Sequence, residues 1–263
     1  MVPSVPVAGL VLPTHDLCVG LGVVVALAVF VGEARRRRGE PFVMLVVVTG
    51  ALLGGAVGER LSGLAARVSV GGPAPLVWAW ESGSRSVLGG LAGAYVGAVL
   101  AKRVIGHRER TGDLFAPAVA LGMAVGRVGC LLTEAPGRPT TLPWGIHAPG
   151  TVPACPGCAA GLAMHPSFAY EIAFQLGAFV ALRWLRTRVD APGELLTLYL
   201  AAYAAFRFAV EFTRADPVML AGLTGPQCFL LLCSPLLVAR LVRCRRHGVF
   251  DALVPRTRVG STP

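Results

Sequence analysis

Seven apolar runs separated by short polar segments dominate the chain, at about Leu17 to Gly32, Phe42 to Leu64, Val87 to Ala101, Leu114 to Leu132, Phe168 to Leu185, Leu195 to Phe212 and Leu220 to Val242. Most lie near the ~20 residues needed to cross a hydrocarbon core as a helix. The pattern predicts an all-α, polytopic integral membrane protein of about seven transmembrane helices. Val87 to Ala101 is the shortest run and holds Gly89, Gly90, Gly93 and Gly97. It is expected to be tilted, broken at its outer end or buried among neighbours. The connections expected to stand outside the membrane are residues 62–86, with Trp78 and Trp80, and residues 133–166, rich in Pro and Gly with Trp144. The tryptophans suit an interfacial belt, and the second segment is a candidate head or lid.

Composition agrees, with 54% of the 263 residues hydrophobic and 14% charged, too little polar surface for a soluble globule. The 33 glycines suit membrane helices whose backbones approach closely. A net charge of +10 raises the question of nucleic acid, so the placement of the basic residues decides. They cluster at Arg35 to Arg38, Lys102 to Arg110, Arg183 to Arg188 and Arg240 to Arg246, with Arg256 and Arg258 beyond. Seven crossings starting outside put all of these in the cytoplasm, which fits positive-inside bias and argues against a nucleic-acid partner. The N-terminus is therefore expected outside and the C-terminus in the cytoplasm. No basic n-region precedes Leu17, so the first run reads as a retained helix. The organisation expected is one membrane domain, residues 1–246, followed by a polar basic tail, residues 247–263.

Ionisable side chains within spans cost roughly 2.5–3.5 kcal/mol each on insertion scales, so each needs a partner or a task. Four stand out: Arg127, between Gly126 and Gly129, then Glu171, Arg207 and Glu211. The glycines allow a backbone or a ligand to come close. Arg207 and Glu211 share a helical face with Tyr203, which reads either as an intrahelical ion pair or as a ligand-facing stripe. Guanidiniums suit bidentate phosphate binding, so an anionic lipid headgroup is the ligand this set predicts.

These segments resemble the bacterial prolipoprotein diacylglyceryl transferases. The resemblance rests on Gly54 to Leu61, Ser86 to Gly93, Gly122 to Leu132, His165 to Glu171, Tyr203 to Arg214 and Gly225-Pro-Gln227, in that order. It implies seven helices in the orientation above, in the bacterial plasma membrane. It also implies transfer of diacylglyceryl from phosphatidylglycerol to the lipobox cysteine thiol of a prolipoprotein, with glycerol phosphate released. Arg127 and Arg207 would then hold the donor phosphate, Glu211 and Tyr203 would order the site, and Arg60 would lie nearby. Gly126, Gly129 and Glu171 complete the expected substrate-binding set. Cys130 stands where the family usually has asparagine, and Leu88-Gly89-Gly90 replaces its His-Gly-Gly. Leucine accepts no proton, so His165, at the outer mouth, is the expected base, with His15 as a weaker candidate. The same departure keeps two alternatives open: a phospholipid-headgroup transferase with another acceptor, and a non-catalytic lipid-binding protein.

No cofactor and no metal centre are expected. Cys18, Cys228 and Cys233 lie in apolar runs and read as small core residues. Cys155-Pro-Gly-Cys158 falls in an outer segment and reads first as a disulfide, with a redox pair or half of a metal site as alternatives.

Overall fold

A computed structural model describes residues 4–7, 10–70, 86–147, 161–189 and 192–246. Trp78, Trp80, Cys155, Cys158 and the tail after residue 246 lie outside the described residues. Within them are seven helices long and apolar enough to cross a membrane. They are α1 (Thr14–Arg36), α2 (Pro41–Val70), α3 (Val87–Val104), α4 (Gly112–Thr133), α5 (Ser167–Leu185), α6 (Glu194–Val210) and α7 (Gly225–Arg246). Many of their large apolar side chains point outward, among them Val180, Leu232 and Leu236, each more than 60% exposed. Such a surface needs lipid as its solvent. The chain is an all-α, multi-pass membrane protein.

Residues 33–109 form one compact unit. In it α2 and α3 run antiparallel, with Gly50, Gly54 and Gly58 facing Gly97, Gly93 and Gly89. A Cβ on Gly58 would lie 2.8 Å from the Cα of Gly93, so the backbones pack with no room for side chains. Lipid supplies little hydrophobic drive between helices, and close van der Waals contact through small residues replaces it. Of the alternatives expected for this run, tilted, broken at its outer end or buried among neighbours, the break is not seen: α3 is a continuous helix, built for this contact. Ser86 caps it, its Oγ accepting from the Gly89 amide at 3.3 Å. The second helix also outlasts its apolar run: α2 continues to Val70, because no breaker precedes Gly71-Gly72-Pro73.

The second unit comprises residues 1–32 and 110–263. Its axis is α4, half of whose span is buried. Gly22 of α1 packs against Gly122 and Gly126 of α4, and a Cβ on Gly129 would come within 3.1 Å of the Cα of His15. The glycines flanking Arg127 therefore admit the α1 backbone. Asp113, in the first turn of α4, accepts the Gly193 amide at 2.9 Å and the Leu195 amide at 3.0 Å, capping the start of α6. Among the described residues the unit also carries three two-stranded antiparallel ladders: β1 (Ser4–Val7) with β2 (Leu10–Pro13), β3 (Ile146–His147) with β4 (Ala163–Met164), and β5 (Val218–Leu220) with β6 (Leu223–Thr224). The last two lie in the connections flanking the site.

Candidate functional site

The C-terminal end of α4, the start of α5, the end of α6 and the start of α7 meet at one end of the second unit. Glu171, in the first turns of α5, has no exposed surface and sits at the hub. Its Oε2 lies 2.7 Å from Arg127 Nε of α4, and its Oε1 lies 3.7 Å from Arg207 Nε of α6. Arg214, beyond α6, brings Nη1 to 3.8 Å from the same Oε1. Three guanidiniums from separate segments thus face one carboxylate. The burial of these ions is tolerable only because each has counter-charges within 4 Å.

Glu211 begins a 3-10 turn, Glu211–Thr213, that ends α6. It pairs with Arg207 one turn earlier, and its Oε2 lies 3.9 Å from Arg214 Nε. Its other oxygen accepts from Thr224 Oγ1 at 2.7 Å. Gln227, in the first turn of α7, accepts the Thr224 amide at 3.0 Å and donates to the Phe208 carbonyl at 3.3 Å. The hairpin β5–β6 and α7 therefore fix the carboxylate that fixes Arg207. Tyr203, 2% exposed, continues the stripe inward, within electrostatic reach of Arg127, Glu171 and Arg207. It stacks on Tyr199, whose hydroxyl donates to Gln175 Oε1 at 2.8 Å.

Arg214 links this cluster to the surface. Its Nε pairs with Asp216 Oδ2 at 3.0 Å, and its guanidinium covers the Phe168 ring at 4.7 Å. Burial alone would raise the Asp216 carboxyl, but the Arg214 guanidinium, side-chain hydrogen bonds with Glu211 and Arg214, and the Arg207 charge together hold it below the usual carboxylate range. Arg214 Nη1 is buried without a hydrogen-bond partner among the described residues. Beside it opens a cavity of about 240 Å³ lined by Glu134, Gly137, Ser167, Phe168, Arg214 and Asp216. Gly137 is required there, since a Cβ would collide with the Thr213 carbonyl and Ser167 Oγ. The neighbouring Arg138 donates its amide to Thr213 O at 2.7 Å and Nε to Arg214 O at 2.8 Å, adding an exposed cation at the mouth.

Of the residues singled out in the sequence, Arg127, Glu171, Tyr203, Arg207 and Glu211 come together. Gly126 and Gly129 serve the α1 contact, and Arg60 belongs to the unit of residues 33–109. His165 borders the mouth through its backbone, its carbonyl accepting the Gly137 amide at 2.8 Å, while Nδ1 lies 3.2 Å from Tyr170 Oη. Tyr170 also accepts from Trp144 Nε1 at 2.9 Å. His15 instead approaches the cluster through Cys130, whose Sγ lies 4.0 Å from His15 Nε2 and accepts from Arg127 Nη1 at 3.7 Å.

Arg214, Asp216, Thr224 and Gln227 were not among the expected site residues. The signal for Arg214 was present, because residues 203, 207, 211 and 214 follow one helical stripe. Chemically, the arrangement offers buried guanidiniums with limited freedom next to a small opening. That suits a phosphate diester whose acyl chains stay in the hydrocarbon.

A sequence model of the prolipoprotein diacylglyceryl transferases matches residues 5–243. The chain is 36% identical over 216 residues to the phosphatidylglycerol-prolipoprotein diacylglyceryl transferase of Chromohalobacter salexigens, covering 77% of this chain and 75% of that one. It is 34% identical over 174 residues to the protein of that name from Bordetella bronchiseptica, covering 64% of this chain. The match spans 62% of the Bordetella protein's own length. A third protein of that name, from Mycobacteroides abscessus, is 33% identical over 225 residues, 77% of this chain and 65% of that one. With seven membrane-spanning helices and a match running through nearly all of them, the chain belongs to the prolipoprotein diacylglyceryl transferase family.

Proposed function

We propose that this protein transfers the diacylglyceryl group of phosphatidylglycerol to the lipobox cysteine thiol of a prolipoprotein. The observation that carries the reading is the convergence of Arg127, Arg207 and Arg214 on buried Glu171 beside a headgroup-sized cavity. Three guanidiniums face three carboxylates, Glu171, Glu211 and Asp216, so the cluster is balanced before a lipid enters. Each guanidinium has five N–H donors, leaving some for phosphate oxygens. In the reaction the acceptor sulfur forms a bond to the glyceryl carbon that carried the phosphate ester. The C–O bond there breaks, and glycerol phosphate leaves with the electron pair. Arg127 and Arg207 stabilise the charge developing on the leaving phosphate. Glu211 and Glu171 hold the arginines, and Tyr203 lines the inner wall. Gly126 and Gly129 set the depth of Arg127.

The thiol proton goes to His165. Tyr170 orients its imidazole through Nδ1, leaving Nε2 to accept the proton. The basic clusters at the opposite helix ends favour a cytoplasmic location for those ends, which supports the reading of a site open to the outer leaflet of a bacterial plasma membrane. The test is release of glycerol phosphate from labelled phosphatidylglycerol in the presence of a lipobox peptide. Peptide-dependent release supports the proposal, and its absence from active-lipid membranes overturns it. Leu88, buried in the first turn of α3, favours a second reading in which the donor is the same but the acceptor is another nucleophile. Release that is indifferent to the lipobox peptide selects that reading.

A further inference from the structure

We infer that His15, Cys130 and Glu134 form a binding site for a zinc-class divalent metal ion at the outer end of α1 and α4. His15 Nε2 lies 4.0 Å from Cys130 Sγ and 4.0 Å from Glu134 Oε1, and the three donor atoms all lie within 4.8 Å of one another. Two local features bring them there. Cys130 and Glu134 are four residues apart at the end of α4, so they share a face. Gly129 lets the His15 backbone approach where a Cβ would come within 3.1 Å of it.

The geometry distinguishes a metal from a proton relay. In a nucleophile-base-acid relay the thiol and the carboxylate address opposite nitrogens of the imidazole. Here both address Nε2, which can share its one hydrogen well with only one of them. A cation between the three serves all. Zinc takes nitrogen at about 2.0–2.1 Å, thiolate at about 2.3 Å and carboxylate at about 2.0–2.2 Å, so tetrahedral geometry separates N and S by roughly 3.6 Å. The observed 4.0 Å closes to that with a small side-chain rotation. One nitrogen, one sulfur and one oxygen donor match a borderline cation and reject magnesium or calcium, which prefer all-oxygen shells.

The surroundings are compatible. The thiol proton leaves to solvent as the sulfur-metal bond forms, so thiolate and carboxylate together balance a dication. Arg127 Nη1, 3.7 Å from Cys130 Sγ, donates to the thiolate, while its own charge is met by Glu171 at 2.7 Å. Glu134 also lines the cavity, which leaves a fourth position for water. Metal binding itself requires neither phosphatidylglycerol nor an acceptor, although Glu134 lines the headgroup cavity and Arg127 contacts Cys130.

Cobalt(II) titrated into the metal-stripped, full-length protein in nanodiscs tests this. One equivalent should bind with a near-ultraviolet thiolate-to-cobalt charge-transfer band, absent in Cys130→Ser and unchanged in Cys155→Ser/Cys158→Ser. His15→Ala and Glu134→Gln should each weaken binding about 100-fold, at least as much as loss of an outer-shell partner does. They also serve if Cys130→Ser does not fold. The inference is overturned by absence of the band, by its survival in Cys130→Ser, by its loss in the Cys155/Cys158 variant, or by unchanged affinity in both ligand variants.

Discussion

Replacing Glu171 by glutamine keeps the side chain's volume, removes its charge and turns one acceptor oxygen into an NH2 donor, so it tests the role of the carboxylate as the hub. The carboxylate has no exposed surface and faces Arg127 at 2.7 Å, Arg207 at 3.7 Å and Arg214 at 3.8 Å. At an effective dielectric of 20, one unit-charge contact at 4 Å is worth about 4 kcal/mol before desolvation. Desolvation of four ions offsets most of the sum. Removing one partner of a buried pair leaves the other uncompensated, and the measured cost of that is about 3–5 kcal/mol. Arg127 suffers most, because Arg207 keeps Glu211 and Arg214 keeps Asp216. With a conversion of about 2–4 °C per kcal/mol for chains approaching this size, Glu171→Gln should lower the unfolding midpoint by roughly 10 °C. Thermal unfolding in nanodiscs, followed by circular dichroism, measures it. A shift below about 2 °C would mean that the glutamate does not hold the arginines together, and the hub assignment would be wrong.

Two further perturbations act at the mouth. Gly137→Ala forces the loop away from Thr213 and Ser167, a strain of about 1–3 kcal/mol, and should reduce glycerol phosphate release at least tenfold while helix content stays unchanged. Activity within twofold of the parent would refute the tight contact. The carboxyl of Asp216 is held below its unfolded value, so its contribution to stability is complete above about pH 4 and is lost as pH falls through the lowered folded value. Asp216→Asn should therefore flatten the acid limb of the unfolding midpoint below about pH 4 while leaving its slope between pH 6 and 8 unchanged; parallel acid limbs in the two proteins would contradict the Arg214–Asp216 pairing.

The seven spans and the charged set were legible because lipid leaves few choices: apolar length marks a crossing, and a buried charge marks a partner. Which partner was not legible. The spacing of Arg207 and Glu211 signalled one ion pair, but the second contact of Arg207, to Glu171, depends on how α5 docks beside α6. Arg214 and Asp216 fall where the apolar run has ended, so span-based reasoning passes over them although they lie on the stripe that starts at Tyr203. Glycine abundance predicted close backbone packing in general. The fold shows which glycines serve which contact: three on α2 against three on α3, and Gly122, Gly126 and Gly129 against α1. The convergence of His15 with Cys130 and Glu134 is invisible in sequence, because its first donor lies 115 residues before the second.

The central claim is that guanidiniums from different crossings act on one phosphate, and a double-mutant cycle on Arg127 and Arg207 tests it most directly. Rates of glycerol phosphate release from labelled phosphatidylglycerol would be compared for Arg127→Ala, Arg207→Ala and the double variant. Each single change removes a charge-assisted contact to the leaving group and should cost about 100-fold or more, roughly 2.7 kcal/mol. The double variant should fall little further than the worse single one, because the two act as a unit. If either single variant keeps activity within threefold of the parent, or the two losses simply add, the arginines do not share a phosphate.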